Sequence, residues 1–130
     1  LLLELITQCI DEDAPHKSIF QDLITILNSP HLNELSLRFM IRLLQMIGYD
    51  LDLSGDGRDV IGFHIPSASL IYTEEAKTSD IAMEDLILLL QLKYTNYDTI
   101  LKISDTQLKS IKSFLIDYIE YHVHIKIKNR

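Results

Sequence analysis

A chain of 130 residues has room for one domain of ordinary size, and a 47% hydrophobic content suffices for its core. Charged residues at 24%, four Gly and three Pro exclude a disordered, fibrous or low-complexity protein. A net charge of −7 argues against a general nucleic-acid coat, and one cysteine, Cys9, excludes an internal disulfide framework or a cysteine-based zinc site.

A lone cysteine suits a reducing compartment, so a cytoplasmic location is expected. No apolar run approaches the ~20 residues that span a bilayer, and no membrane role is expected. The opening Leu1-Leu2-Leu3 lacks a methionine and a basic stretch. It is therefore read as the start of a piece of a longer protein rather than as a signal peptide.

In chain order, Leu2 to Ile10 reads as a short helix that breaks at Asp11-Glu12-Asp13. Pro15 opens a second helix, whose Ile19, Phe20, Leu23, Ile24 and Leu27 repeat at helical spacing and are expected inward. A third runs from about Asn33 to Ile47 with Leu35, Phe39, Met40, Leu43 and Ile47 inward, and Gly48 stands at its left-handed C-terminal position. Residues 49–62 are polar and turn-rich. Val60 to Ile65 and Leu70 to Thr73 read as two short strands around Pro66-Ser67. Ser79-Asp80 is expected to cap a helix from Ile81 to Tyr94. That helix is apolar nearly all round, so it is expected at the buried centre. A short helix is expected near Asp98 to Leu101. Ser104 and Gln107 form a capping box for the last helix. Its inner stripe is Leu108, Ile111, Leu115, Tyr118, His122 and Ile125. The expected fold class is all-α: a single helical domain over 1–130, with 49–77 as an inserted loop or β-hairpin.

Asp52-x-Ser54-x-Asp56-Gly57 matches the first half of a calcium-binding EF-hand loop. Its twelfth position, which needs a bidentate carboxylate, is Phe63, so a solvated turn is the better reading. His122 and His124 are two apart and point to different sides of a helix, so they do not share a metal ion there. His122 is expected at the core or an interface and His124 at the surface. No nucleophile–base constellation or glycine-rich phosphate loop stands out. Catalytic residues, metal ligands and cofactors are all expected to be absent.

Charge asymmetry carries more. Residues 1–101 hold 6 basic and 16 acidic side chains, whereas residues 102–130 hold 6 basic and 3 acidic ones. The basic set Lys109, Lys112, Lys126, Lys128 and Arg130 is the candidate nucleic-acid face; the alternative is plain solvation of a terminal helix. Arg38 and Arg42 flank Phe39 and Leu43 on the third helix. Those four are the candidate partner-binding residues, with guanidinium groups at the lip of an apolar groove. The competing reading is a surface ladder in which Glu34 pairs with Arg38.

Two stretches also carry a family resemblance. Glu34-Leu35-Ser36-Leu37-Arg38-Phe39-Met40-Ile41-Arg42-Leu43-Leu44, closing on Ile47-Gly48-Tyr49 and passing to Leu51-Asp52, resembles the Arg-Phe-x-x-x-Leu-Leu…Leu-Gly-Tyr helix of the RecO family of DNA repair proteins. Tyr118-Ile119-Glu120-Tyr121-His122, running on to Lys126-Ile127-Lys128-Asn129-Arg130, is similar to that family's closing Tyr-Leu-x-Tyr-His…Leu-Lys-Ser-Arg. Ile103-Ser104 resembles the turn that opens its last helix. The resemblance implies the helical C-terminal part of such a protein, without the oligonucleotide-binding barrel that begins the family. Many members hold zinc with two Cys-x-x-Cys pairs. Here those positions fall at Ser54-Gly55-Asp56-Gly57 and near Tyr72-Thr73-Glu74-Glu75, so a metal-free hairpin replaces the zinc ribbon.

The implied function is a non-enzymatic recombination mediator that assists recombinase loading and strand annealing at single-stranded gaps. Its implied partners are RecR, RecF, single-stranded DNA (mainly through the barrel) and the acidic, apolar-tipped tail of single-strand binding protein. The alternative is a structural or scaffolding helical interaction domain with no direct DNA role. A weaker third reading is a calcium- or metal-responsive regulator built on the Asp-rich loop.

Overall fold

Hydrophobic spacing makes one helix the pivot on which the others pack. The computed structural model describes residues 1–9, 17–28, 31–96, 99 and 101–128. Its elements are α1 (Leu2–Cys9), α2 (Lys17–Leu27), α3 (Leu32–Met46), β1 (Val60–His64), β2 (Ser69–Tyr72), α4 (Met83–Tyr94) and α5 (Asp105–Val123). In α3, Leu35, Phe39, Met40, Leu43 and Leu44 are all buried, and the helix packs against α2, α4 and α5. Gly48 lies just past its end at φ +86, where a Cβ is disfavoured.

The last helix forms as its sequence requires. Ser104 accepts a hydrogen bond from the Gln107 amide while the Gln107 side chain reaches back, completing the capping box. Ile111, Leu115 and Tyr118 are buried, and Leu108 and His122 are half-buried at the edge of the same stripe; Ile125, expected on that stripe, is half-buried but lies past the end of the helix. The helix stops at His124, a left-handed residue at φ 59 that faces solvent.

The inserted hairpin is antiparallel, with Phe63 opposite Leu70 and His64 opposite Ser69. Ala68, at φ 52, closes its turn by donating its amide to the Ile65 carbonyl. Phe63 is fully buried and meets Phe114 of α5 edge to face, 5.6 Å between centroids. His122 of α5 bonds through Nε2 to the Ile65 carbonyl at 2.6 Å and so fixes the turn of the hairpin. The architecture is mostly helical with a two-stranded antiparallel sheet, which agrees with the expected helical domain with an inserted hairpin, although all-α is not an exact class for it.

Three further expectations need correction. Ser79 and Asp80 do not cap α4, whose N-cap is Ala82 and has no side-chain bond. Ser79 Oγ instead accepts from the Phe63 amide, and Asp80 Oδ2 accepts from the Ile65 amide. Among the described residues no strand lies beside the outer edge of β1, and these two side chains satisfy one amide within it and one just past its end.

Second, α4 is not the buried centre. Leu86, Leu89 and Leu92 face inward, whereas Met83, Ile87, Leu90 and Tyr94 are exposed. The helix lies at the edge of the bundle, and only one of its two apolar faces meets α3 and α5.

Third, α2 turns Ile24 and Leu27 outward and buries Leu23 and Ile26. A three-residue step, rather than the four-residue one, faces the core there. Pro15 and Asp11-Glu12-Asp13 lie outside the described residues, as do Asp98 and Ile100 of the short helix expected at Asp98 to Leu101, while Thr99 and Leu101 are not helical.

Candidate functional site

The four residues marked for a partner separate once the helix is placed. Phe39 and Leu43 are fully enclosed in the core beneath α3. Arg38 is 4% exposed. Its Nη1 donates to the carbonyls of Leu92 (3.2 Å) and Thr95 (2.8 Å), and its Nη2 donates to Thr99 (2.7 Å). The α4 C-terminus has carbonyls with no intrahelical partner, and the guanidinium neutralises that end of the helix dipole. Glu34, one turn earlier, is buried 3.9 Å from Arg38 and accepts the Leu101 amide at 2.7 Å. The pair is thus an internal bracket rather than a surface ladder.

Arg42 lies on the same side of α3 as Arg38. It lines a small polar cleft of about 250 Å³ with Gln45, Lys93, Thr95 and Asn96. Lys93 is engaged there, its ammonium 3.1 Å from Asp50 and bonded to the Leu51 carbonyl. Arg42 and the Phe39–Leu43 stripe therefore do not form one open groove.

The opposite side of α3 carries an apolar recess. A cavity of about 580 Å³ opens between α1, α2, α3 and α5, floored by Leu2, Leu23, Leu37 and Met40. Leu27, Leu32 and Leu108 form its walls. Lys109 and Lys112 stand at its rim on α5, together with Asp105. Helical spacing dictates this arrangement: Leu108 and Lys112 are four apart, so an apolar side chain and a cation share one face. The signal was present in the sequence, because the first two turns of α5 carry Leu108, Lys109 and Lys112. It was hidden because Met40 reads as ordinary core, and Ser36 and Leu37 fall outside the inward stripe expected for α3.

The remaining basic residues are spread out. Lys126 is exposed beyond α5. The backbone of Lys128 is tied to Glu4 of α1 by a 2.8 Å bond, and Ile127 is buried next to it. Arg130 lies outside the described residues.

The Asp-rich loop is engaged internally. Asp52 accepts from Ser54 Oγ at 2.5 Å and from the Ser54 amide at 3.1 Å, and these bonds hold its carboxyl below the ordinary carboxylate range. Arg58 reaches Asp56 at 2.7 Å and Glu74 at 2.5 Å, and its guanidinium lies 3.9 Å over the Tyr72 ring. Among the described residues, no group of three His, Cys, Asp or Glu side chains converges as metal ligands would. Also among the described residues, no helix is long and apolar enough to cross a membrane.

A family model described as "Recombination protein O C terminal" matches residues 1–130. No curated protein and no solved structure matches the chain. The match covers both stretches that resemble RecO, the α3 helix with Ile47-Gly48-Tyr49 and the closing Tyr118-to-Arg130 segment. The chain belongs to the recombination protein O C-terminal family, a family of DNA recombination and repair.

Proposed function

We propose that this chain is the helical part of a non-enzymatic recombination mediator, and that its apolar cavity receives the acidic, aromatic-ended tail of single-strand binding protein. One observation carries this reading: an apolar recess wide enough for a ring, with Lys109 and Lys112 at its mouth. An acidic peptide ending in an aromatic residue matches both features, the ring entering between Leu37 and Leu108 and the carboxylates meeting the ammonium groups. Phe39 and Leu43 serve as core residues of α3 in this reading, and Arg38 ties α3 to the end of α4. RecR, RecF and single-stranded DNA are further partners in this reading. The DNA contact runs along Lys109, Lys112, Lys126, Lys128 and Arg130 and is weak and salt-sensitive, because the body before Lys102 is acidic.

Fluorescence anisotropy with a labelled acidic peptide ending in phenylalanine tests the site. Ser36→Trp, which fills the mouth, and Leu108→Glu, which charges its wall, are each expected to weaken binding at least about tenfold. Lys109→Glu and Lys112→Glu are expected to weaken it about threefold to tenfold, as partly exposed ion pairs do. Unchanged affinity in all four folded variants, with a loss in Arg42→Ala, would move the site to the α3–α4 cleft and overturn this placement.

A further inference from the structure

We propose that the recess between the start of α4 and the middle of α5 is a binding site for a guanidinium group, and that its occupant is an arginine side chain of a partner protein. The recess holds about 510 Å³ and is lined by Asp80, Asp85, Ser110, Ser113, Phe114 and Asp117. Asp85 is the residue that calls for a ligand. It is 8% exposed, and among the described residues no amide, hydroxyl or cation donates to its carboxylate. Burial, and then the charge of Glu84, push its carboxyl above the ordinary 3.8. A carboxylate withdrawn from water without a donor is costly, so one that the fold leaves open towards a recess needs a partner from outside.

The lining suits a cation on a stem rather than a bare ion. Three aspartates stand against one lysine, the exposed Lys109, so the recess is net negative. Among the described residues these carboxylates do not converge as metal ligands do. Asp80 is partly committed, its Oδ2 accepting the Ile65 amide at 2.7 Å, which leaves Asp85 as the principal acceptor. Ser110 and Ser113 are three apart on α5 and Asp117 is four further on, so helical spacing sets two hydroxyls and a carboxylate along one face. Their small size at 110 and 113 leaves the space open. Phe114 and Ile81, both buried, supply the apolar wall. An arginine matches each part: its planar fork of five N–H donors meets the carboxylates and hydroxyls, and its methylene stem lies on the wall. Lysine offers a compact point charge that cannot fork in this way. The recess shares only Lys109 with the apolar cavity between α1, α2, α3 and α5, so this site and the peptide site are separate properties.

Titration of the whole chain with N-acetyl-argininamide at constant ionic strength, followed by proton–nitrogen NMR, tests the proposal. Saturable shifts are expected at the amides of Asp85, Ser110, Ser113 and Asp117, and none with the neutral analogue N-acetyl-citrullinamide. Asp85→Asn is expected to weaken binding at least about tenfold, the worth of a hydrogen bond to a charged group. It removes an uncompensated charge, so its thermal midpoint is expected to equal or exceed that of the unchanged chain. Ser113→Trp, at an exposed position, keeps Asp85 and fills the recess, and is expected to abolish binding. Absence of saturable shifts would overturn the proposal, as would citrulline binding equally or affinity unchanged in both folded variants. N-acetyl-lysinamide binding as tightly would overturn the assignment to a guanidinium. A saturable response of the same amides to magnesium chloride would show a metal site instead, and spermidine binding more tightly than the arginine probe would overturn the assignment to a protein side chain.

Discussion

Glu34 and Arg38, one turn apart on α3, hold the same chain segment from two directions: Arg38 donates to the carbonyls of Thr95 and Thr99, and Glu34 accepts the amide of Leu101. Each also keeps one buried atom without a hydrogen-bond partner, Glu34 Oε2 and Arg38 Nε. Desolvating this pair is costly, so its value lies in fixing the segment after α4 rather than in net stability. Removing one member is a different matter, because the other then stays buried and uncompensated. Arg38→Ala is expected to destabilise the fold by about 3–5 kcal/mol. Arg38→Lys recovers only part of that, since an ammonium cannot fork to carbonyls in one plane. Arg42→Ala, at the wall of an open cleft, is expected to cost about 1 kcal/mol or less. Urea unfolding midpoints check the order; an Arg38→Ala midpoint equal to that of Arg42→Ala would show that the carbonyl bracket carries little.

The hairpin edge gives a second prediction. A Cβ built on Gly62 would lie 2.1 Å from Ser79 Oγ and 2.3 Å from Ser79 Cβ, so the side chain that satisfies β1 also requires a glycine opposite it. Gly62→Ala is expected to cost about 1–3 kcal/mol through forced displacement of Ser79. Ser79→Gly is expected to cost about 1–3 kcal/mol because the Phe63 amide loses its acceptor. Combining them removes the clash, so the double variant is expected to be more stable than the sum of the two losses implies. Strict additivity in a thermal-unfolding double-mutant cycle would contradict the contact.

These two sites mark where sequence reading reached its limit. Element type was legible wherever one physical cause dominated: the capping box at Ser104, glycine after α3, and two short apolar runs around the turn residues Pro66-Ser67. The resemblance to RecO was legible in α3 and in the closing segment because both are short runs of unusual residues in fixed order. The roles of Ser79, Asp80, Glu34 and Arg38 were not legible. Each of these polar side chains satisfies backbone groups distant in the chain, and local spacing carries no record of a partner 15 to 67 residues away. The same limit applies to α4. Its composition announces two apolar faces, but only the packing decides which of them the bundle covers.

A third prediction concerns acid. Arg58 bonds to Asp56 and Glu74 and holds both carboxyls below their ordinary values of 3.8 and 4.5. A carboxyl depressed in the folded state stabilises it above the unfolded pKa, and the contribution disappears as pH falls through the folded value. The tie between residues 56–58 and the end of β2 is therefore expected to be intact at neutral pH and to open below about pH 4. Carbon-detected NMR titration of the side-chain carboxyls will show it. In Arg58→Gln both carboxyls are expected to return towards their ordinary values. Titration curves that do not move would mean that the ion pairs are not formed in solution.

Alkali probes the other side of the hairpin. The Tyr118 hydroxyl donates towards the carbonyls of Tyr49 (3.3 Å) and Asp50 (3.4 Å), joining α5 to the segment that leaves α3. Burial, and then the charge of Asp50, raise its pKa above the ordinary 10.0, because a phenolate there would face two carbonyl oxygens and a carboxylate without a donor. A group raised in the folded state contributes fully below its unfolded pKa and loses that contribution as pH climbs through the folded value. Stability is therefore expected to be flat through neutral pH and to fall above about pH 10. Of the six tyrosines, Tyr118 is expected to ionise late in an ultraviolet titration, and Tyr118→Phe to remove that late component. The same substitution is expected to cost about 1 kcal/mol at neutral pH, the worth of one moderately long hydrogen bond. A titration in which Tyr118→Phe removes an early-ionising tyrosine instead would show that the hydroxyl faces water and that α5 is not joined to Tyr49 through it.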